Sequence, residues 1–155
     1  MSATVGSKAP DFTLMNENRE PVTLSSQKGH PVVLAFFPAA FTGVCTKELC
    51  TFRDNMAKLN GANAQVYGIS VDTSFALAEF KKQQNLNFPL LSDFNKEAIQ
   101  AYGAFNPDMI GMKGIAKRAT FVIDKEGVVR HAEILEDARN EPNYDKVFEA
   151  LSKLN

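Results

Sequence analysis

The chain has 155 residues, 45% hydrophobic and 23% charged, with a formal net charge of -1 and a pI near 6.1. Those values fit one globular domain over residues 1–155, and the near-balanced charge gives no field to recruit nucleic acid or an anionic membrane surface. Two cysteines and two histidines, His30 and His131, leave few ligands for a transition metal.

The opening residues Met1 to Lys8 lack the apolar stretch of a secretory signal. The longest apolar run, Pro31 to Ala40, falls far short of the roughly 20 residues that cross a bilayer. The expected location is therefore the cytoplasm, where a cysteine pair is more often redox-active or metal-binding than a structural staple.

In chain order, Asp11–Leu14 and Pro21–Leu24 read as short strands around a polar turn. Pro31 to Phe37 is apolar throughout and predicts a strand buried on both faces, ending at Pro38. Val44, Cys45, Leu49, Phe52, Met56 and Leu59 then recur at helical spacing, with Gly61 as the expected stop. Gln65–Val71 predicts a second buried strand, and Asp72-Thr73 a cap for a helix reaching about Asn85. Phe88–Leu91 reads as extended and Asn95–Tyr102 as helical. Ala119–Asp124 and Gly127–Ile134 form a hairpin around a Gly-containing turn, and Asn143–Leu154 closes the chain as an amphipathic helix. A hairpin, then βαβα, then a second hairpin and a helix predicts an α/β sandwich with a mixed central sheet. By analogy, the order suits a thioredoxin-like fold with an N-terminal β-hairpin extension and an insertion before the last hairpin.

The stretch Pro38-Ala39-Ala40-Phe41-Thr42-Gly43-Val44-Cys45 sets a cysteine in the first turn of a helix that follows a buried strand. Free N–H groups and the positive end of the helix dipole favour a thiolate, the form in which cysteine is a nucleophile. Thr42 offers a hydroxyl nearby, and Pro38 can wall the site against water. If the target is a peroxide O–O bond, charge grows on the leaving oxygen and donors must be waiting for it. Arg118, just before a predicted strand, is the most plausible distant donor, with a permanent charge and fixed N–H geometry. Attack would leave Cys45 as a sulfenic acid. Plainer readings compete: a free cysteine is often a small buried hydrophobe, and Cys45 shares the apolar stripe of Leu49, Phe52 and Met56. Arg118 could equally be a surface ion-pair residue.

At this point the sequence resembles the peroxiredoxin family. Pro38, Thr42 and Cys45 match its Pro-x-x-x-Thr/Ser-x-x-Cys pattern, Arg118 stands in the expected place, and the likeness runs from Gly6–Phe12 to the Thr120–Gly127 hairpin. The resemblance implies peroxide reduction with no metal and no organic cofactor. It gives Cys45 the peroxidatic role, Thr42 and Arg118 peroxide activation, and Pro38 shielding. Glu48 matches a position that orients the arginine, and Arg53 is a candidate partner for Glu48; both could also be ordinary solvated helix charges. A symmetric homodimer is compatible with the family and is the commonest assembly.

Cys50 follows Cys45 by five residues. On one intact helix the two side chains would diverge and their Cα atoms would lie roughly 8 to 9 Å apart. A disulfide wants about 4.4 to 6.8 Å, so the helix must unwind before they can join. This spacing resembles the bacterioferritin-comigratory (Q-type) branch, in which the second cysteine resolves the first. The run Phe36 to Cys45 also looks like the one-cysteine AhpE-like branch. Resolution by Cys50 would give an intramolecular disulfide reduced by thioredoxin, glutaredoxin or another dithiol; without it, an external thiol must reduce the sulfenic acid. Two rivals remain. A thiol–disulfide oxidoreductase would normally carry Cys-x-x-Cys at this helix start, and a non-catalytic thioredoxin-like binding module would have an unreactive Cys45.

Overall fold

The computed structural model describes residues 3–154; Met1, Ser2 and Asn155, the ends of the expected 1–155 domain, lie outside the described residues. A seven-stranded mixed sheet forms the centre, in the order β2-β1-β5-β4-β3-β8-β9. Its strands are β1 (Thr13–Asn16), β2 (Pro21–Thr23), β3 (Val32–Phe36), β4 (Gln65–Ser70), β5 (Leu90–Ser92), β8 (Arg118–Ile123) and β9 (Val129–Leu135). β3 is central and buried throughout, parallel to β4 and antiparallel to β8, as its unbroken apolar run requires. The N-terminal hairpin joins the same sheet, with β1 antiparallel to β5.

Alternation along β3 divides the core in two. Val33, Ala35 and Phe37 face a cluster with α1 (Gly43–Asp54), α2 (Met56–Gly61), α3 (Ser74–Gln84) and α5 (Tyr144–Ser152). Val32, Leu34 and Phe36 face the other, which holds Tyr102 together with Ala98 and Ile99 of α4 (Glu97–Ala101). Gly68 in β4 makes room for its neighbour on the sheet: a Cβ there would lie 2.7 Å from Leu90 Cδ2 of β5.

The fold departs from the sequence reading in two places. The helix expected from Val44 to Leu59 is broken at Asn55, whose side-chain N–H donates to Thr51 O (2.7 Å) and so competes with the helical ladder. The second piece, α2, ends at Gly61 as expected. The chain turns at Asn63 (φ +58), and Ala64 N–H returns to Leu59 O (3.0 Å). The insertion before the last hairpin carries a small antiparallel pair, β6 (Phe105–Asn106) and β7 (Ile115–Ala116), extended by mutual Met109–Met112 backbone bonds of 2.9 Å. At its tip Ile110 and Gly111 both take positive φ, and the Ile110 side chain is 90% exposed. Among the described residues no helix is long and apolar enough to cross a membrane.

Candidate active site

The end of β3 aims the reactive segment. Phe37 N–H still bonds Ile69 O (2.9 Å), but Pro38 has no N–H to continue the ladder, so the chain leaves the sheet. Asp72, at the end of β4, catches the departing loop: its Oδ2 accepts from Ala40 N–H (2.8 Å) and from the Ser70 hydroxyl (2.6 Å). Asp72 therefore does not share the capping of α3; Thr73 alone accepts from Ala76 N–H (3.2 Å). Phe41 bends back at φ +68 and stacks edge-on against Phe80, 5.2 Å between centroids, leaving its ring half exposed. Phe36, Phe37 and Phe52 are buried in the core.

Thr42 caps α1 through its backbone, and its hydroxyl donates to Ala39 O (2.8 Å) rather than to the helix. The first intrahelical bond runs from Thr46 N–H to Thr42 O (2.9 Å), so the N–H groups of Gly43, Val44 and Cys45 have no helical carbonyl to meet. Cys45 thus lies in the first turn, 1% exposed, its thiol free and its apolar side packed with Leu49, Phe52 and Met56.

Arg118 opens β8. Ala119 pairs with Phe36, so the guanidinium stands where β3 ends and the cysteine loop begins. It is 2% exposed, and three partners fix it. Nη2 donates to Cys45 Sγ (3.3 Å), Nη1 to Glu48 Oε1 (2.7 Å), and Nε and Nη2 to Ala138 O (3.2 and 2.8 Å). Burial works against the charge, yet Glu48 and the Cys45 sulfur outweigh it, and the guanidinium holds its proton more tightly than usual. Glu48, one helical turn beyond Cys45, is fully buried, and among the described residues its Oε2 has no partner. Burial pushes its carboxyl up to about 7 despite the opposing pull of Arg118.

Thr42, Cys45, Arg118 and Pro38 line one cleft of about 740 Å³, and Glu48 supports it from beneath. Arg53 is not brought there. Five residues beyond Glu48 on α1, it points away, bonding Asp54 Oδ1 (3.0 Å) and the backbone carbonyl of Gln84. Its expected pairing with Glu48 is replaced by the Arg118 pair. Cys50 stands on the α3 side of the same unbroken helix, its thiol within 3.5 Å of Gln84 Oε1.

Several cleft residues escaped the sequence reading. Asp137 and Arg139 pair at 2.8 Å on the rim, and the guanidinium holds the Asp137 carboxyl down to about 2. Pro107, Met109, Ile110 and Met112 supply an apolar wall from the β6–β7 insertion. Ala138 acts only through its carbonyl, which carries no side-chain signature.

The AhpC/TSA family profile matches residues 5–132 of this chain. Alkyl hydroperoxide reductase E of Mycobacterium tuberculosis is 42% identical over 133 residues, covering 84% of this chain and 84% of that protein. The chloroplastic peroxiredoxin Q of Oryza sativa subsp. japonica is 44% identical over 126 residues, covering 81% of this chain and 57% of the longer relative. Among solved structures, peroxidoxin BcpB of Mycobacterium tuberculosis superposes with a TM-score of 0.88 at 32% identity, covering 99% of each chain. The thiol, its guanidinium and the sheet that brings them together agree with these likenesses: the chain belongs to the AhpC/TSA family and is a peroxiredoxin, a thiol-dependent peroxidase of thioredoxin-like fold.

Proposed function

We propose that residues 1–155 act as one catalytic domain in which Cys45 attacks hydrogen peroxide or an organic hydroperoxide. The Cys45 thiolate takes one peroxide oxygen, the O–O bond breaks, and the alkoxide or hydroxide leaves with a proton as alcohol or water. Negative charge moves from sulfur to the leaving oxygen, and Arg118 Nη2 is placed to follow it. With its own proton on Ala39 O, the Thr42 hydroxyl has lone pairs to accept the peroxide O–H. Pro38 shields the sulfur, and Glu48 holds the guanidinium in register. The observation that carries this reading is the 3.3 Å contact between Arg118 and the Cys45 sulfur, buried and locked by Glu48.

The product is a Cys45 sulfenic acid. Cys50 resolves it after the start of α1 unwinds, giving an intramolecular disulfide that thioredoxin, glutaredoxin or a similar dithiol reduces. A second reading rests on the unbroken helix between the two thiols: if α1 stays wound, an external thiol reduces the sulfenic acid directly. We assign the work to the cytoplasm, with a homodimer as the expected assembly, no cofactor, and neither nucleic acid nor membrane as a partner. The test is peroxide consumption by reduced protein, with Cys45→Ser and Cys50→Ser in parallel and intact masses recorded. Loss of turnover in Cys45→Ser, with wild type lighter by two hydrogens and Cys50→Ser unable to make that change, supports the two-cysteine cycle. Turnover in Cys45→Ser overturns the role of Cys45.

A further inference from the structure

We propose that Gln84, the last residue of α3, is a latch that sets how fast Cys50 resolves the oxidised Cys45, and hence how much peroxide the protein survives. This rests on Cys50 being the resolving thiol. Both ends of Gln84 are held by α1: its side-chain Oε1 accepts from the Cys50 thiol at 3.5 Å, and its backbone carbonyl accepts from Arg53 Nη1. Asn87 Nδ2 returns a third bond to Arg53 O (3.4 Å). The second half of α1 is thereby tied to the end of α3 and the turn after it, and one of those ties is made at Cys50, whose release the second step needs.

Two reactions compete for the sulfenic acid. In resolution, the Cys50 sulfur attacks the Cys45 sulfur, the S–S bond forms, the S–O bond breaks, and hydroxide leaves with the Cys50 proton as water. In overoxidation, the sulfenate attacks a second peroxide, gains an oxygen as sulfinate, and releases alcohol or water. Resolution requires the bond to Gln84 to break and α1 to unwind, whereas overoxidation needs neither. The latch therefore shifts the partition without touching the first attack, because Gln84 lines no part of the cleft around Cys45.

The two substitutions that test this have opposite expected signs. Gln84→Leu removes the acceptor and should speed disulfide formation about threefold, the worth of one modest hydrogen bond. Gln84→Glu sets a carboxylate against the sulfur, a stronger acceptor for the thiol and a repulsive neighbour for the attacking thiolate, and should slow the step by about the same factor. A residue that merely steadied the end of α3 would speed the step in both variants. The experiment is rapid quench of the full-length reduced protein at rising hydrogen peroxide, with disulfide and sulfinate counted by intact mass. The expected result is that the peroxide level giving half sulfinate rises for Gln84→Leu and falls for Gln84→Glu, with the sulfenylation rate unchanged in both. Equal or same-direction shifts overturn the latch. If wild type forms no disulfide and behaves as Cys50→Ser does, the resolving role of Cys50 fails first and the latch falls with it.

Discussion

Cys45 and Cys50 share one helix, yet their surroundings have almost nothing in common. Cys45 sits at the start of α1, out of solvent, against a guanidinium that is itself held by a buried carboxylate and a backbone carbonyl. Cys50 lies where the helical ladder is complete, half-buried, beside an uncharged amide. The difference teaches that position along a helix decides what a thiol can do. The first turn leaves N–H groups unspent and opens onto the loops at the strand ends, whereas the middle offers only the flank of a neighbouring helix.

The contrast can be broken most severely at Cys45 itself: Cys45→Ser should reduce peroxide turnover to the uncatalysed level in a coupled peroxide assay. Arg118→Met keeps the thiol but removes its cationic neighbour, and the second-order rate with peroxide in stopped flow should fall by about 10² or more. Glu48→Gln tests the support beneath, and a loss of about tenfold is expected from the looser arginine. The same variant carries a pH signature. The Glu48 carboxyl is raised from 4.5 to about 7 in the fold, so its contribution to stability is fully present below 4.5 and is lost as pH rises through about 7. Denaturation midpoints of the wild type should therefore decline across that window, and those of Glu48→Gln should lack that component. The smallest effect belongs to the other thiol: Cys50→Ser should change unfolding free energy by less than about 1 kcal/mol, since the side chain is only half-buried.

Much of the fold was legible because its signals are local. The unbroken apolar run gave β3, and the turn around Gly127 gave the β8–β9 hairpin. The β6–β7 pair was not legible, because strands of two residues are too short to show a period. The break at Asn55 was hidden by an apolar stripe that runs on through Met56 and Leu59. For the site, Pro38, Thr42 and Cys45 lie within one short segment, and Arg118 was proposed from its charge and its place before a strand, with the family likeness agreeing. Nothing in spacing reveals that Glu48 and Arg118, seventy residues apart, meet at 2.7 Å. Arg53 illustrates the opposite error: nearness on the helix suggested a pair with Glu48 that the direction of its side chain forbids.

The carbonyl of Ala138 has a consequence for how the protein comes into being. Arg118 is held at the sulfur by a segment that follows β9, so strands and helices made earlier cannot alone fix the guanidinium. A chain still emerging from the ribosome carries Cys45 and Glu48 long before Ala138 exists. Until that late segment is translated and folds back, the sulfur lacks its fully anchored charged neighbour and should react with oxidants much as a free cysteine would. The guanidinium can take its full set of anchors only once that late segment has been made and has folded back.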